Sequence, residues 1–131
     1  MKVLALDYGS ARTGVAISDP TGTIASPLAV VERASSAAGL ARLAELVREE
    51  QPERIVVGLP VTLRGAAGEQ ARETEVFVEA LKAAVAVPVE RFDERFTTAL
   101  AARTGGRAAE DSRAAAHLLT GYLEWVRGRA T

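Results

Sequence analysis

Four acidic residues occupy positions from which their carboxylates could act together. Asp7 ends the apolar run from Val3 to Leu6, Asp93 and Glu94 end a later strand-like segment, and Asp111 begins the last amphipathic segment. Converging carboxylates repel one another unless a cation neutralises them. Oxygen-only ligation suits Mg²⁺ or Mn²⁺ better than Zn²⁺. A site with two such ions about 4 Å apart activates a water and stabilises the leaving oxygen in phosphodiester cleavage.

Each of these acids also has a structural interpretation. An acid after a strand is often a turn former or a helix cap, which applies to Asp7. At 100° per residue Asp111 begins the stripe of the last helix that must pack on a sheet, but an N-cap at Asp111 is equally compatible with the sequence. That stripe also contains Ala115, Leu118 and Tyr122. His117 falls roughly 150° from the centre of the stripe, which predicts a solvent-exposed residue outside any active site.

The alternation of apolar segments predicts one α/β domain over residues 1–131. Short links between strands at Val3–Leu6, Gly14–Ser18 and Ile24–Val31 require an antiparallel meander, with Asp7 ending a central strand. Right-handed crossovers then add two parallel strands, which gives a five-stranded mixed sheet with helices on both faces. The later predicted strands cover 54–60 and 88–93, the second at a sheet edge, and the predicted helices cover 35–50, 69–84, 94–103 and 111–127. Helical spacing of apolar residues predicts a buried stripe at 40, 43, 44 and 47 on the first helix and at 74, 77, 78 and 81 on the second.

Composition limits the functional classes. The chain has 131 residues, 48% hydrophobic and 25% charged, which is ordinary for a globular domain. The absence of cysteine excludes disulfides, thiolate zinc sites and a cysteine nucleophile. With no apolar segment long enough to span a membrane and no signal-peptide pattern, we expect a cytoplasmic protein without a membrane partner. The net charge of −1 argues against tight, sequence-blind binding of nucleic acid, but not against an enzyme that meets it at one face.

The sequence resembles the YqgF (RuvX) family in four motifs that occur in order along nearly the whole chain. These are Leu6-Asp7-Tyr8-Gly9 with Arg12-Thr13-Gly14-Val15-Ala16-Ile17-Ser18-Asp19, Val57-Gly58-Leu59-Pro60 with Gly65, Asp93-Glu94-Arg95-Phe96-Thr97-Thr98, and Asp111-Ser112 with Ala114-Ala115. The resemblance implies an RNase H-like fold. Members are described as Holliday junction resolvases and as nucleases that mature the 5′ end of the small-subunit ribosomal RNA precursor.

The resemblance implies roles for individual residues. Asp7, Glu94 and Asp111 would be the catalytic, metal-binding acids, with Mg²⁺ or Mn²⁺ as the cofactor and two ions expected. Asp93 would be a supporting acid. The residues implied near substrate are Arg12 in a loop over the metal site, Arg95 beside it, and Arg64 and Gln70 as phosphate contacts. Thr97 and Thr98 would cap the short helix.

The chain departs from the family pattern at three places. Residues 104–110 lack the Lys-rich composition common before the last acid, Ala11 replaces a frequent Lys, and Arg64 stands where an acid is often found. These changes weaken the basic surface but leave the three acids intact. The favoured hypothesis is therefore a metal-dependent nuclease, with an endonuclease expected before an exonuclease. It would act on ribosomal RNA precursor, or alternatively on branched DNA, as a monomer or homodimer. Two other classes are a silent RNase H-like scaffold in ribosome assembly and half of a two-domain phosphate-binding ATPase.

Overall fold

The computed structural model describes residues 1–59, 67–93 and 107–130, which form one sheet with helices packed on it. The element order is βββαβαβα, as the sequence analysis predicts. The strands are β1 Val3–Asp7, β2 Arg12–Ser18, β3 Ala25–Glu32, β4 Arg54–Leu59 and β5 Val89–Asp93, and the helices are α1 Ala37–Glu50, α2 Ala67–Ala84 and α3 Arg107–Ala130. The predicted short helix at 94–103 lies outside the described residues.

The five strands are arranged in the order β3-β2-β1-β4-β5, so β1 is central. β1 pairs antiparallel with β2 and parallel with β4, and β4 pairs parallel with β5. The predicted meander with two added parallel strands, and the edge position of β5, are therefore confirmed. β3 forms the opposite edge, with a register shift opposite Val15 and Ala16 and with Pro27 facing Ala16.

Side-chain alternation along β1 divides the core between the two faces of the sheet. Leu4 and Leu6 join the apolar cluster under α1 and α2, whereas Val3 and Ala5 join the cluster under α3. Because successive strand residues point to opposite faces, a strand that is buried on both faces reads as one continuous apolar run. This explains why Val3 to Leu6 are all fully buried and confirms helices on both faces.

The ends of α1 follow from local side-chain chemistry. Ser36 is the N-cap, and its Oγ accepts a hydrogen bond from the Gly39 amide at 3.0 Å. Gln51 ends the helix in the left-handed conformation, with φ of 52°, and its amide donates to the Val47 carbonyl at 2.8 Å. On α2 the predicted buried stripe is confirmed, and it consists of Thr74, Phe77, Val78 and Leu81.

α3 corrects one interpretation of the sequence. The helix begins at Arg107, so Asp111 is its fifth residue and the N-cap interpretation of Asp111 is wrong. The alanine-rich segment before Asp111 favours helix, and this extends the helix beyond the start of its amphipathic stripe. Ala115, Leu118 and Tyr122 are buried as predicted, and His117 is exposed. Within the described part of the chain, no helix is both long and apolar enough to cross a membrane.

The turn between β2 and β3 is closed by one carboxylate. Asp19 Oδ1 accepts hydrogen bonds from the amides of Thr23 at 2.8 Å and Ile24 at 3.0 Å. Bonds from the Ile24 amide, the Thr21 hydroxyl and the Thr23 amide hold the pKa of the Asp19 carboxyl well below its ordinary range. This acid is therefore a turn former, and it lies at the opposite end of the strands from Asp7.

Candidate active site

Asp7 is half-buried at the carboxyl end of the central strand. It faces Gly14 across the β1–β2 pair. By alternation, it lies on the α3 face of the sheet together with Val3 and Ala5. The parallel strands β1, β4 and β5 all have their carboxyl ends at this end of the sheet. Asp93 is the last residue of β5, opposite Leu59. The backbone therefore brings the strands that end in Asp7 and Asp93 together at one end of the sheet. Open α/β sheets bind ligands at the carboxyl ends of their strands.

The loop after Asp7 depends on close approach of the backbone at Gly9. A Cβ at position 9 would lie 2.5 Å from the Arg12 carbonyl oxygen, so only glycine fits. The buried Thr13 hydroxyl accepts a bond from the Gly9 amide at 3.4 Å and lies 3.3 Å from the Gly9 carbonyl. These contacts return the chain into β2 immediately. As a result Arg12, which was expected in the loop, is the half-buried first residue of β2 and is in register with Glu32.

α3 packs its buried stripe on the face that carries Asp7. Near the end of α3, Arg127 Nη1 donates to the Gly22 carbonyl at 3.3 Å. Gly22 lies in the β2–β3 turn, at the opposite end of the strands from Asp7. Residue 111 lies sixteen residues earlier, which is about 24 Å along the helix axis. Position 111 is also one helical turn before Ala115, which is fully buried against the sheet. Followed from Arg127 back toward residue 111, the helix therefore runs from the end of the sheet at the β2–β3 turn toward the end at which β1 stops.

Several predicted site residues fall outside what the structure describes. Glu94, Arg64, Arg95, Thr97 and Thr98 lie in 60–66 or 94–106, and the side chains of Gln70, Asp93 and Asp111 are likewise not described. Among the side chains that are described, no group of three His, Cys, Asp or Glu is arranged to hold a metal ion. Because two of the three acids expected to bind metal are not in that set, the predicted metal site stays a prediction.

A groove that was not predicted from the sequence lies on the other side of the β1 end. It has a volume of about 450 Å³ and is lined by Tyr8, Ser10, Ser35, Arg72, Glu73 and Val76. One signal was available, because Val76 is apolar but lies off the buried stripe of α2.

A polar cluster that was also not predicted joins Arg54 Nη1 to Glu90 Oε1 at 2.6 Å and to the Tyr122 hydroxyl at 2.7 Å. Because it satisfies polar groups between β4, β5 and α3, we interpret this cluster as structural.

With the sheet order and the position of Asp7 known, comparison with protein families becomes informative. A family model described as "RuvX: Holliday junction resolvase" matches residues 1–125. The chain belongs to the RuvX family. Membership confirms the resemblance seen in the motifs around Asp7, Gly58, Asp93 and Asp111.

Relatives of this RuvX-family chain match it over most of its length. A protein of Moorella thermoacetica named "Putative pre-16S rRNA nuclease" is 41% identical over 95% of this chain and 95% of its own. A protein of the same name from Syntrophomonas wolfei is 38% identical, covering 95% of this chain and 94% of its own.

Solved structures support the fold. The structure titled "T. thermophilus RuvC in complex with Holliday junction substrate" superposes with a TM-score of 0.64, at 20% identity, over 98% of this chain and 96% of that one. At that identity the likeness concerns the fold, and it confirms the predicted RNase H-like architecture.

Proposed function

We propose that this chain is a metal-dependent nuclease, a hydrolase that cleaves phosphodiester bonds during 5′-end maturation of pre-16S rRNA in the cytoplasm. The observation that carries the proposal is the position of Asp7, a half-buried carboxylate at the end of the central strand, on the sheet face covered by α3. The names of the RuvX-family relatives support ribosomal RNA precursor as the substrate. The absence of cysteine is compatible with the compartment.

In this proposal three acids from separate parts of the chain share the metal ions. Asp7, Glu94 and Asp111 would hold the ions, with Asp93 in support. The chain has no cysteine and its one histidine, His117, is exposed, so the donor set is oxygen-only and fits Mg²⁺ or Mn²⁺. When bound, two such ions lower the pKa of a coordinated water and stabilise the leaving oxygen.

The remaining predicted residues would contact the substrate backbone. Arg12 begins β2 at the end of the sheet where β1 ends with Asp7, and we assign its guanidinium to a phosphate contact there. We assign Arg64, Gln70 and Arg95 to phosphate contacts on the basis of the family resemblance. An arginine guanidinium can bind phosphate in bidentate fashion and does not titrate, so Arg64 and Arg95 would hold the strand without taking part in proton transfer.

The substrate is tested by offering two nucleic acids to one preparation. The purified chain would be incubated with Mn²⁺ and either a precursor of the small-subunit rRNA 5′ end or a four-way DNA junction. We expect cleavage of the RNA, and loss of cleavage by at least about a hundredfold in Asp7→Asn. Glu49→Gln is the matched control, because it makes the same carboxylate-to-amide change at an exposed position of α1.

The outcomes separate the candidate functions. Cleavage of the junction alone would replace the RNA substrate with branched DNA, as in the description of the RuvX family. Cleavage of neither substrate, with both of them still bound, would favour the scaffold hypothesis. Equal activity in wild type and Asp7→Asn would overturn the assignment of Asp7 to the metal site.

A further inference from the structure

The groove beside β1 has a rigid aromatic wall. The Tyr8 ring stacks on the Phe77 ring of α2, with centroids 4.5 Å apart and 21° between the ring planes. Phe77 is fully buried, so the position of the Tyr8 ring is fixed by the core beneath it. Tyr8 remains partly exposed and lines the groove. A rigid, partly exposed ring is a surface on which a flat, apolar ligand can stack at low entropic cost.

Val76 extends this apolar surface. It is 66% exposed, one of two large apolar side chains with this much exposure in the described part of the chain. The other, Ile24, is 62% exposed and lies in the turn after β2, at the opposite end of the strands from the groove. Single exposed apolar residues are common, but Val76 belongs to the same concave surface as Tyr8. The combination is typical of a ligand-binding groove.

The polar residues of the groove match a nucleotide. Arg72 supplies an exposed guanidinium, and Ser10 and Ser35 supply hydroxyls that bind phosphate or ribose oxygens. Glu73 adds a carboxylate, which accepts hydrogen bonds from base amino or imino groups and repels a second phosphate. Among the described residues of the groove, one cation and one anion stand beside an apolar wall, a combination that fits a base with its own sugar-phosphate better than a run of phosphates.

We propose that this groove binds one unpaired nucleotide of the substrate strand, adjacent to the phosphodiester that is cleaved at Asp7. The inference rests on the proposed nuclease function and adds to it where the neighbouring nucleotide is held. Tyr8 follows Asp7 directly, but alternation places the two side chains on opposite faces of the sheet. The substrate strand therefore passes around the end of β1, with its cleaved phosphate on the α3 face and the adjacent base on the α2 face.

This path requires single-stranded nucleic acid. Binding a base between Tyr8 and Val76 uses the face of the base, which in a duplex is covered by the neighbouring base pairs. A volume of about 450 Å³ is sufficient for one nucleotide. The unpaired nucleotide is thus the feature that this side of the protein recognises, whatever the sequence of the strand.

The test measures binding without metal, so that it is independent of cleavage. A short single-stranded RNA with 2-aminopurine at successive positions would be titrated with the full chain in EDTA. We expect the fluorescence to be quenched at one position, and an abasic residue at that position to weaken binding by about tenfold. The same RNA annealed to its complement is expected to show neither effect.

Paired variants locate the binding surface. Val76→Asp is expected to weaken binding of the single strand by about tenfold, whereas Ile24→Asp, the same change at the other exposed apolar residue, leaves it unchanged. Arg72→Glu is expected to reduce the salt dependence of binding, whereas Arg48→Glu, at the far end of α1, is not. Melting temperatures verify that all four variants are folded.

Two results would overturn the proposal. The first is equal binding by Val76→Asp and Ile24→Asp, and the second is an equal loss of affinity for duplex and single strand in Val76→Asp. Failure of the nuclease function is recognised separately, as absence of cleavage in Mn²⁺ while the position-dependent quenching in EDTA persists.

Discussion

Tyr8 and Phe77 connect the end of the central strand to α2 through a ring stack with a centroid separation of 4.5 Å. Because Tyr8 is the residue after Asp7, the backbone that carries the candidate catalytic carboxylate is held by a helix on the other face of the sheet. The main chain at Asp7 is thus fixed from both sides: β2 and β4 pair with β1 in the plane of the sheet, and α2 anchors the next residue.

Replacing Phe77 with Leu tests this connection. Loss of the ring pair and imperfect repacking are expected to lower the free energy of unfolding by about 1 to 3 kcal/mol. Cleavage at saturating Mn²⁺ should slow as well, because the Asp7 backbone loses its anchor. Val78→Ala is the control, since it lowers stability from the same apolar cluster without removing a ring. Equal rates in the two variants at equal stability would contradict the link.

Asp7→Asn should separate activity from stability. If the three acids converge as proposed, their carboxylates repel one another when no metal is bound, and the uncharged amide removes one of them. The melting temperature in EDTA is therefore expected to stay level or to rise. In Mn²⁺ the wild type should gain more stability than the variant, because only the wild type binds the ions tightly. Thermal unfolding with and without metal measures both effects. A large fall in melting temperature in EDTA would instead identify Asp7 as a structural residue.

Gly9→Ala is expected to destabilise the loop that follows Asp7. The new Cβ would lie 2.5 Å from a backbone oxygen that cannot move without shifting the start of β2. We expect a loss of about 1 to 3 kcal/mol in urea unfolding. Gly128→Ala is the opposite control, because a Cβ there has nothing within 4 Å and the site is helical. That change should stabilise α3 by about 0.5 to 1 kcal/mol. Equal effects of the two alanines would contradict the steric explanation.

Tyr122 provides a prediction in alkaline solution. Burial and the hydrogen bond to Glu90 raise the pKa of the Tyr122 phenol from 10.0 to about 12. Folding thus favours the protonated phenol, and this contribution is complete below pH 10 and is lost as the pH rises through about 12. Tyr122→Phe should cost about 1 kcal/mol at pH 8, and the difference from wild type should shrink toward pH 12. A difference that stays constant from pH 8 to pH 12 would contradict the assigned cause.

The sequence was most informative where burial imposes a period on it. The uninterrupted apolar run from Val3 to Leu6 indicated a strand that is covered on both faces, and Thr74, Phe77, Val78 and Leu81 indicated the inner side of α2. On α1 the predicted stripe at 40, 43, 44 and 47 omitted Leu46, which is buried, while Leu40 and Ala44 are only half-buried. The helix is thus rotated slightly from the predicted stripe, because its packing partners on the sheet determine which side chains are covered.

Features that depend on several elements were less accessible. The start of α3 could not be located from its amphipathic stripe, since the alanine-rich turn before Asp111 carries no pattern of burial. The groove combines a β1–β2 loop, the segment before α1 and the exposed side of α2. The cluster of Arg54, Glu90 and Tyr122 spans 68 residues of sequence between its most distant members. No local pattern indicates such combinations, because only the sheet order brings their members together.

Pro27 gives the outer edge of β3 a further role. Proline has no amide hydrogen to offer a neighbouring strand, and the register shift next to it bends the edge. At the other edge, β5 carries two consecutive charged residues, Glu90 and Arg91. The proline and register shift of β3 and the charged residues of β5 are features that disfavour pairing with a strand of another molecule, the step with which aggregation begins.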